Sequence, residues 1–297
     1  MKKVLFYVLA VLAYCTTVNA QSIIDADEQR NPNDFYQQIL VGGKKAAPYP
    51  ATRQTDVIWE CVIWRDIDFN EKFNQFFFFP LEDSTNTQGR INLVNLILHA
   101  VANGDFDVYE DDDMNVVKDP AKAIVDLAGE PIPRQRPKVG ADGQPEFDED
   151  GEPVMEDYFQ DRTFEVSSAT KVRLKEKWYI DKQDSRQKVR ILGLAFEYDK
   201  ENAAGNTVRN WSFWIPMDDM RVRNVLINAN AYDENNDVVE RSYDDIFIQR
   251  YFDSYIVRES NVYNRSISDY LVGEDAIIES QKIEDKIFDI ESDMWEY

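Results

Sequence analysis

The sequence predicts an α+β fold: an antiparallel sheet over about residues 163–217, packed with flanking helices and followed by an amphipathic C-terminal helix. Three observations predict it. Residues 163–217 contain runs in which apolar and polar side chains alternate, the period of a half-buried strand. Ile91 to Ala102 is apolar at helical spacing and is followed by Asn103-Gly104, a pair suited to a left-handed cap. Near the end, Ile283, Ile287, Ile290, Met294 and Tyr297 recur at spacings of four and three, one stripe of a helix from about Glu274 to Tyr297.

Taken in order, the chain opens with MKKVLFYVLAVLAYCTTVNA, in which Lys2 and Lys3 precede an apolar run and Val18-Asn19-Ala20 ends it. This reads as a signal peptide over residues 1–20. The run is about half the roughly 20 residues that a membrane span needs. Tyr14 stands before Cys15 where a lipoprotein signal requires a small residue, so no lipid anchor is expected. Residues 21–55 are polar and proline-rich without a sustained period, an extended N-terminal arm, and residues 56–297 form the main domain.

The aromatic stretch from Asp56 to Pro80 carries Asp56, Glu60, Arg65, Asp66 and Asp68, too many charges for a bilayer crossing. Trp59, Val62, Ile63 and Ile67 recur at helical spacing with Thr55 or Asp56 as N-cap, which predicts an amphipathic helix. Phe76 to Phe79, closed by Pro80, suit a short buried strand or an inserted loop and offer a partner surface. Residues 129–157 combine proline, glycine and acid, and read as a long loop or disordered insertion. The strands expected in the sheet are TFEVSS, KVRLKEKWYID, RQKVRILGLAFEY and NWSFWIPM, with Asp184-Ser185 as the hairpin turn. Ser242 with Asp245 resembles a capping box opening a helix through SYDDIFIQRYFDSYI.

Acidic residues number 56 against 33 basic ones, a formal charge of −23. Such a field argues against nucleic acid or an anionic membrane surface as partner. Cys61 is the only cysteine left once the leader is removed, so no internal disulfide forms and packing must hold the fold. His99 is the single histidine and lies in an apolar helix, which leaves no Ser/His/Asp or Cys/His apparatus and no Cys/His zinc site. Glu146, Asp148, Asp150, Gly151 and Asp157 fall in an EF-hand register, but with Pro153 inside the loop and prolines ahead of it the fit to calcium is poor. No cofactor is expected. A glycan-binding module or a calcium-dependent binding protein are the alternatives to a structural role.

The clearest polar pattern is on the expected hairpin. Lys171, Arg173, Lys175 and Lys177 alternate with Val172, Leu174 and Trp178, so four bases share one face. Facing like charges cost a few tenths to about 1 kcal/mol per pair unless acids neutralise them. Those acids belong either to this chain or to a partner. The terminal helix carries Phe288 and Trp295 beside its main stripe, a wider apolar face than intramolecular packing requires.

Trp178-Tyr179-Ile180-Asp181-Lys182, Arg190-Ile191-Leu192-Gly193 and Arg250-Tyr251-Phe252-Asp253-Ser254-Tyr255-Ile256 resemble the GldN/PorN family. So do Glu259, Asn261-Val262-Tyr263, Arg265, Ile267, Asp269-Tyr270 and the ending Glu291-Ser292-Asp293-Met294-Trp295-Glu296-Tyr297. The resemblance implies a periplasmic component of the type IX secretion and gliding machinery of Bacteroidota. It further implies a ring with a GldK/PorK-type lipoprotein beneath the outer membrane, and contact with the GldM/PorM periplasmic arm. It brings no catalytic residue and no membrane insertion.

Overall fold

The computed structural model describes residues 43–81, 90–129, 132–137, 155–160, 164–201, 206–232 and 241–293, and for 132–137, 155–160 and 201 the backbone alone. The signal peptide, the arm before residue 43, the calcium-type register up to residue 154, and Met294, Trp295 and Tyr297 lie outside the described residues. Lys44–Tyr297 form one compact unit.

Its centre is a wholly antiparallel sheet. The strands are β1 (Val57–Asp68), β6 (Ala169–Asp181), β7 (Arg186–Glu201), β8 (Thr207–Trp211), β9 (Ile215–Pro216) and β10 (Tyr255–Glu259). Their order is β10-β1-β6-β7-β8, with β9 also paired to β7. Short pairs stand outside it: β2 (Val108–Tyr109) with β3 (Val117–Lys118), and β4 (Ile132–Pro137) with β5 (Met155–Gln160). The helices are α1 (Gln75–Phe78), α2 (Leu93–Asn103), α3 (Pro120–Ala128), α4 (Met220–Ile227), α5 (Tyr243–Gln249) and α6 (Glu274–Asp293).

The α+β architecture matches the expectation, but five local readings need correction. The first is the segment after Asp56, expected as a helix, which is the long strand β1 between β6 and β10. Its alternation is masked because both faces are covered. Odd positions such as Ile63 and Ile67 face the helices, while Val62 and Trp64 pack beneath Trp214 on the other side. Val62 and Trp64 interrupt the acids of one face and Arg65 the apolar side chains of the other, so period two is blurred, while Val, Ile and Trp favour the extended backbone.

Phe76 to Phe79, expected as a strand or loop, instead enter the single turn α1. Phe164 to Ser168, expected as a strand, end in a 3-10 turn, Val166–Ser168. Ser242 does cap α5, its Oγ accepting from the Asp245 N–H at 3.2 Å. That helix stops at Gln249, however, because Arg250 turns left-handed at φ 53°, and Tyr255 onward pairs with β1 as an edge strand. Residues 129–157, expected as loop, carry strand β4 and the start of β5, paired from Ile132↔Gln160 to Pro137↔Met155.

One core lies between one sheet face and the helices. Ile67, Val172, Leu174, Leu194 and Phe196 from the strands meet Leu93, Val94 and Ile97 of α2, Val222 and Leu226 of α4, and Tyr243 and Phe247 of α5. Farther along the same face a smaller core forms where α6 lays Ile283 and Ile287 on Ile63, Ile256 and Ile267. Each such isoleucine contributes about 2 kcal/mol on burial. Ser280 of α6 accepts a hydrogen bond from the Ile256 N–H at 2.9 Å. A backbone donor of edge strand β10 is thereby satisfied by a helix.

An extended strap, residues 44–50, lies along α4 and β7. Ala46 N–H donates to Asn224 Oδ1 at 3.0 Å, Asn228 donates to the Lys44 carbonyl at 2.9 Å, and Arg190 donates to the Pro50 carbonyl at 2.8 Å. The Tyr49 ring lies 4.2 Å from the Arg223 guanidinium and 5.0 Å from that of Arg190. Buried Arg223 also donates to the Ala47 carbonyl and forms a two-pronged pair with buried Asp244 at 2.9 Å on both arms.

Candidate functional site

Three surfaces carry enough chemistry to be sites. The first is the basic face of β6. Period two places Lys171, Arg173, Lys175 and Lys177 together as expected, opposite β1 residues Asp68, Asp66, Trp64 and Val62. Each base has an acid within the chain. Arg173 grips Asp66 at 2.6 and 2.9 Å and covers the Trp211 ring at 4.0 Å. Lys175 donates to Asp113 at 2.8 Å and to the Asp112 carbonyl at 2.7 Å, 5.4 Å from the Trp64 ring. Lys171 donates to the Tyr255 hydroxyl at 2.8 Å and lies 3.6 Å from Asp68. Lys177 meets Glu60 at 3.4 Å, and with 36% of its side chain exposed it is the most open of the four.

The ladder therefore alternates cation, acid and ring, so like charges are separated and screened from one another. Lys175 bonded to Asp113, with its charge beside it, holds that carboxyl below the usual range. Farther along the hairpin, the Gln183 backbone N–H and Lys188 hold Asp181 low in the same way.

The second surface is the outer side of α6. Ile283 and Ile287 are buried, Ile290 is half-buried, and the helix is tied down by Arg65 Nη2 donating to Glu284 at 2.6 Å. Phe288 points outward with 68% exposure, and Ile277, on nearly the same bearing three turns earlier, is 64% exposed. Val262 and Tyr263, at the turn after β10, are also exposed.

The third surface was only partly legible. A groove of about 760 Å³ opens beside α1, walled by Phe73, Phe76, Phe79, Pro80, Tyr232 and Tyr251. Lys72, Gln75, Ala231, Arg241 and Ile246 complete the lining, which contains no carboxylate among the described residues. Phe73 and Tyr251 lie 4.8 Å apart between ring centres, and the Arg241 guanidinium lies 4.0 Å over Tyr251. The floor is fixed by buried Tyr243, whose hydroxyl donates to the Ile91 carbonyl at 2.8 Å, with the Phe76 carbonyl at 3.2 Å. Burial pushes the Tyr243 phenol far above its ordinary value. Phe76 to Phe79 were singled out in the sequence, whereas Tyr232, Arg241 and Tyr251 come from segments far away in the chain and carry no local signal.

Among the described residues, no group of three or more His, Cys, Asp or Glu side chains is placed to hold a metal ion. Also among them, no helix is long and apolar enough to cross a membrane. His99 is exposed on α2. Cys61 is a free thiol whose sulfur lies 3.5 Å from Ser260 Oγ.

The structure defines an α+β domain with a cation-aromatic sheet face, an aromatic groove and a terminal helix that keeps apolar side chains exposed. The chain belongs to the gliding motility associated protein GldN family, whose model matches residues 52–296. The strap lies just ahead of that match, and the segment from 129 to 157 lies within it. No curated protein matches the chain.

Proposed function

We propose that this protein is a non-enzymatic structural subunit of the type IX secretion and gliding machinery, held in the periplasm by a GldK/PorK-type outer-membrane lipoprotein in a ring complex. The GldM/PorM periplasmic arm is a further partner in this reading. Membership of a gliding motility family supports it, as does the leader-like sequence at the N-terminus.

The observation that carries the docking role is on α6. The helix is already anchored by Ile283, Ile287, Ser280 and Glu284, yet it keeps Phe288 and Ile277 in water. Interface centres are rich in such aromatic and aliphatic anchors. Eight acids and two lysines lie along α6, so the partner surface it fits is apolar and basic. Lys177 is the one ladder base placed to exchange its acid for a partner's.

A gentle pull-down from native membranes tests this. The wild-type chain brings down a lipoprotein, and the Ile277→Asp, Phe288→Asp double variant loses it while keeping its circular dichroism spectrum. Equal recovery with both proteins would remove α6 from the interface. Lys177→Glu should weaken recovery at low salt and matter less at high salt. A salt-independent result counts against a role for that face.

A further inference from the structure

The groove beside α1 has a chemistry that points to a particular occupant. Its walls are aromatic and its two cations, Lys72 and Arg241, have no carboxylate partner among the described residues. Arg241 instead lies over the Tyr251 ring at 4.0 Å. In a chain with 56 acids and 33 bases, most buried or half-buried guanidiniums are already bonded to acids, as Arg173 is to Asp66 and Arg223 to Asp244. A guanidinium over a ring in a groove whose described lining is aromatic and lacks a carboxylate is arranged to receive an acidic, aromatic segment.

The chain itself contains one. Beyond α6 run Met294-Trp295-Glu296-Tyr297, directly after Asp293: a methionine and two aromatics to fill the groove, with acids on either side of the tryptophan for Arg241 and Lys72. We propose that the groove receives residues Met294–Tyr297 of a second copy of this chain.

Reach decides that the contact is between copies. Gln187 Nε2 lies 3.5 Å from the Ile287 carbonyl, and Gln187 pairs with Ile180, which pairs with Trp59. That part of α6 therefore lies at the Val57 end of β1. The groove opens past the Asp68 end, since Lys72 and Phe73 line it. At about 3.3 Å per residue the separation along the strand is about 30 Å. Six more helical residues and the greatest span that four residues allow reach at most about 23 Å, short of its own groove even if the chain doubles back. The association joins two different patches, so it closes as a reciprocal pair or propagates head-to-tail according to the rotation between copies. It stands independently of the lipoprotein reading, because it involves this chain alone.

Sedimentation of the purified chain over a range of concentrations tests the proposal. The wild type is expected to self-associate. The groove variant Arg241→Glu, Tyr251→Ala and the tail variant Trp295→Ala, Tyr297→Ala should each associate at least about tenfold more weakly. Mixed in equal amounts, they should form pairs and nothing larger, because the groove variant still supplies a tail and the tail variant a groove. A labelled peptide of residues 291–297 should bind the tail variant and not the groove variant, and a scrambled peptide should bind neither. Arg241→Gln is the milder variant if Arg241→Glu alters the circular dichroism spectrum. Wild-type association in both variants, a mixture no more associated than its components, or peptide binding that ignores the groove would each overturn the proposal. So would a monomeric wild type that leaves the peptide unbound, which would assign the groove to a different protein.

Discussion

Arg65 Nη2 donates to Glu284 of α6 at 2.6 Å while its Nε lies 3.5 Å from Glu176 without a hydrogen bond. Glu176 is fully buried and also accepts from Arg250 at 2.7 and 3.2 Å and from Trp178 Nε1 at 2.9 Å. One carboxylate thus serves β1, β6, the left-handed residue that ends α5, and indirectly α6. Removing it takes the carboxylate from Arg250 and leaves Arg65 with Glu284 alone, and broken buried pairs of this kind cost about 3 to 5 kcal/mol. Glu176→Ala is expected to lose that much in chemical denaturation. A loss below about 1 kcal/mol would show that water replaces the carboxylate.

Gly193 lies where β7 passes under Met114 and Trp214. A Cβ there would stand 3.1 Å from Met114 Cε and 3.2 Å from Trp214 Cε3. The methionine end can move, but the indole is held in the packed cluster with Trp64 and Ala195. Gly193→Ala is expected to cost about 1 to 3 kcal/mol by overpacking, and Gly193→Val more. Thermal melts in which Gly193→Ala equals the wild type would mean that the indole has room to shift.

Tyr243→Phe removes a hydroxyl that bonds two carbonyls at the groove floor. The cost is about 1 to 2 kcal/mol, because the carbonyls of Ile91 and Phe76 lose a buried donor. The same variant should bind the 291–297 peptide less well, since Phe76 is both the bonded residue and a groove wall. Unchanged stability with unchanged peptide binding would show that the bond to Phe76 does not shape the groove.

Several aspartates sit below their ordinary value of 3.8 in the folded chain. Asp113 is lowered by its bond to Lys175, Asp126 by its bond to Lys118, and Asp181 by the Gln183 N–H and Lys188. For Asp219 burial raises the value, but bonds from the Arg221 side chain and backbone together outweigh it. A depressed carboxyl stabilises the fold above its unfolded value, and that contribution is lost as pH falls through the folded value. Melting temperature should therefore be flat near neutrality and fall on acidification below about pH 4. The multiple Asp→Asn variant at positions 113, 126, 181 and 219 should start lower and fall less steeply. Parallel acid limbs for variant and wild type would refute the linkage.

How much the sequence revealed depended on how many sides of each element are covered. The hairpin β6–β7 was legible because Lys171 to Lys177 face one way and Val172 to Trp178 the other, so its alternation survives. Strand β1 was not, since Val62 and Trp64 stand among the acids Glu60, Asp66 and Asp68 on one face and Arg65 joins the apolar Ile63 and Ile67 on the other, which blurs the period. Helix α5 was opened correctly by Ser242, but its end rests on Arg250 adopting φ 53°, a choice tied to Glu176, which lies 74 residues earlier in the chain. The acids that neutralise the basic ladder were hidden for the same reason. Asp66 and Asp113 come to Arg173 and Lys175 only through strand pairing and the turn after β2. Groove residues Phe76 and Tyr251 are likewise joined by folding alone.

The strap gives the domain a mechanical handle. Tension applied upstream of Lys44 meets the backbone bonds at Lys44, Ala46 and Ala47, and Tyr49 with its two neighbouring guanidiniums, before it can reach the sheet. A load-bearing neighbour could pull on that segment without first prying strands apart. Tyr49→Ala should then let the strap peel away at lower force in single-molecule stretching, with the force that opens the sheet unchanged.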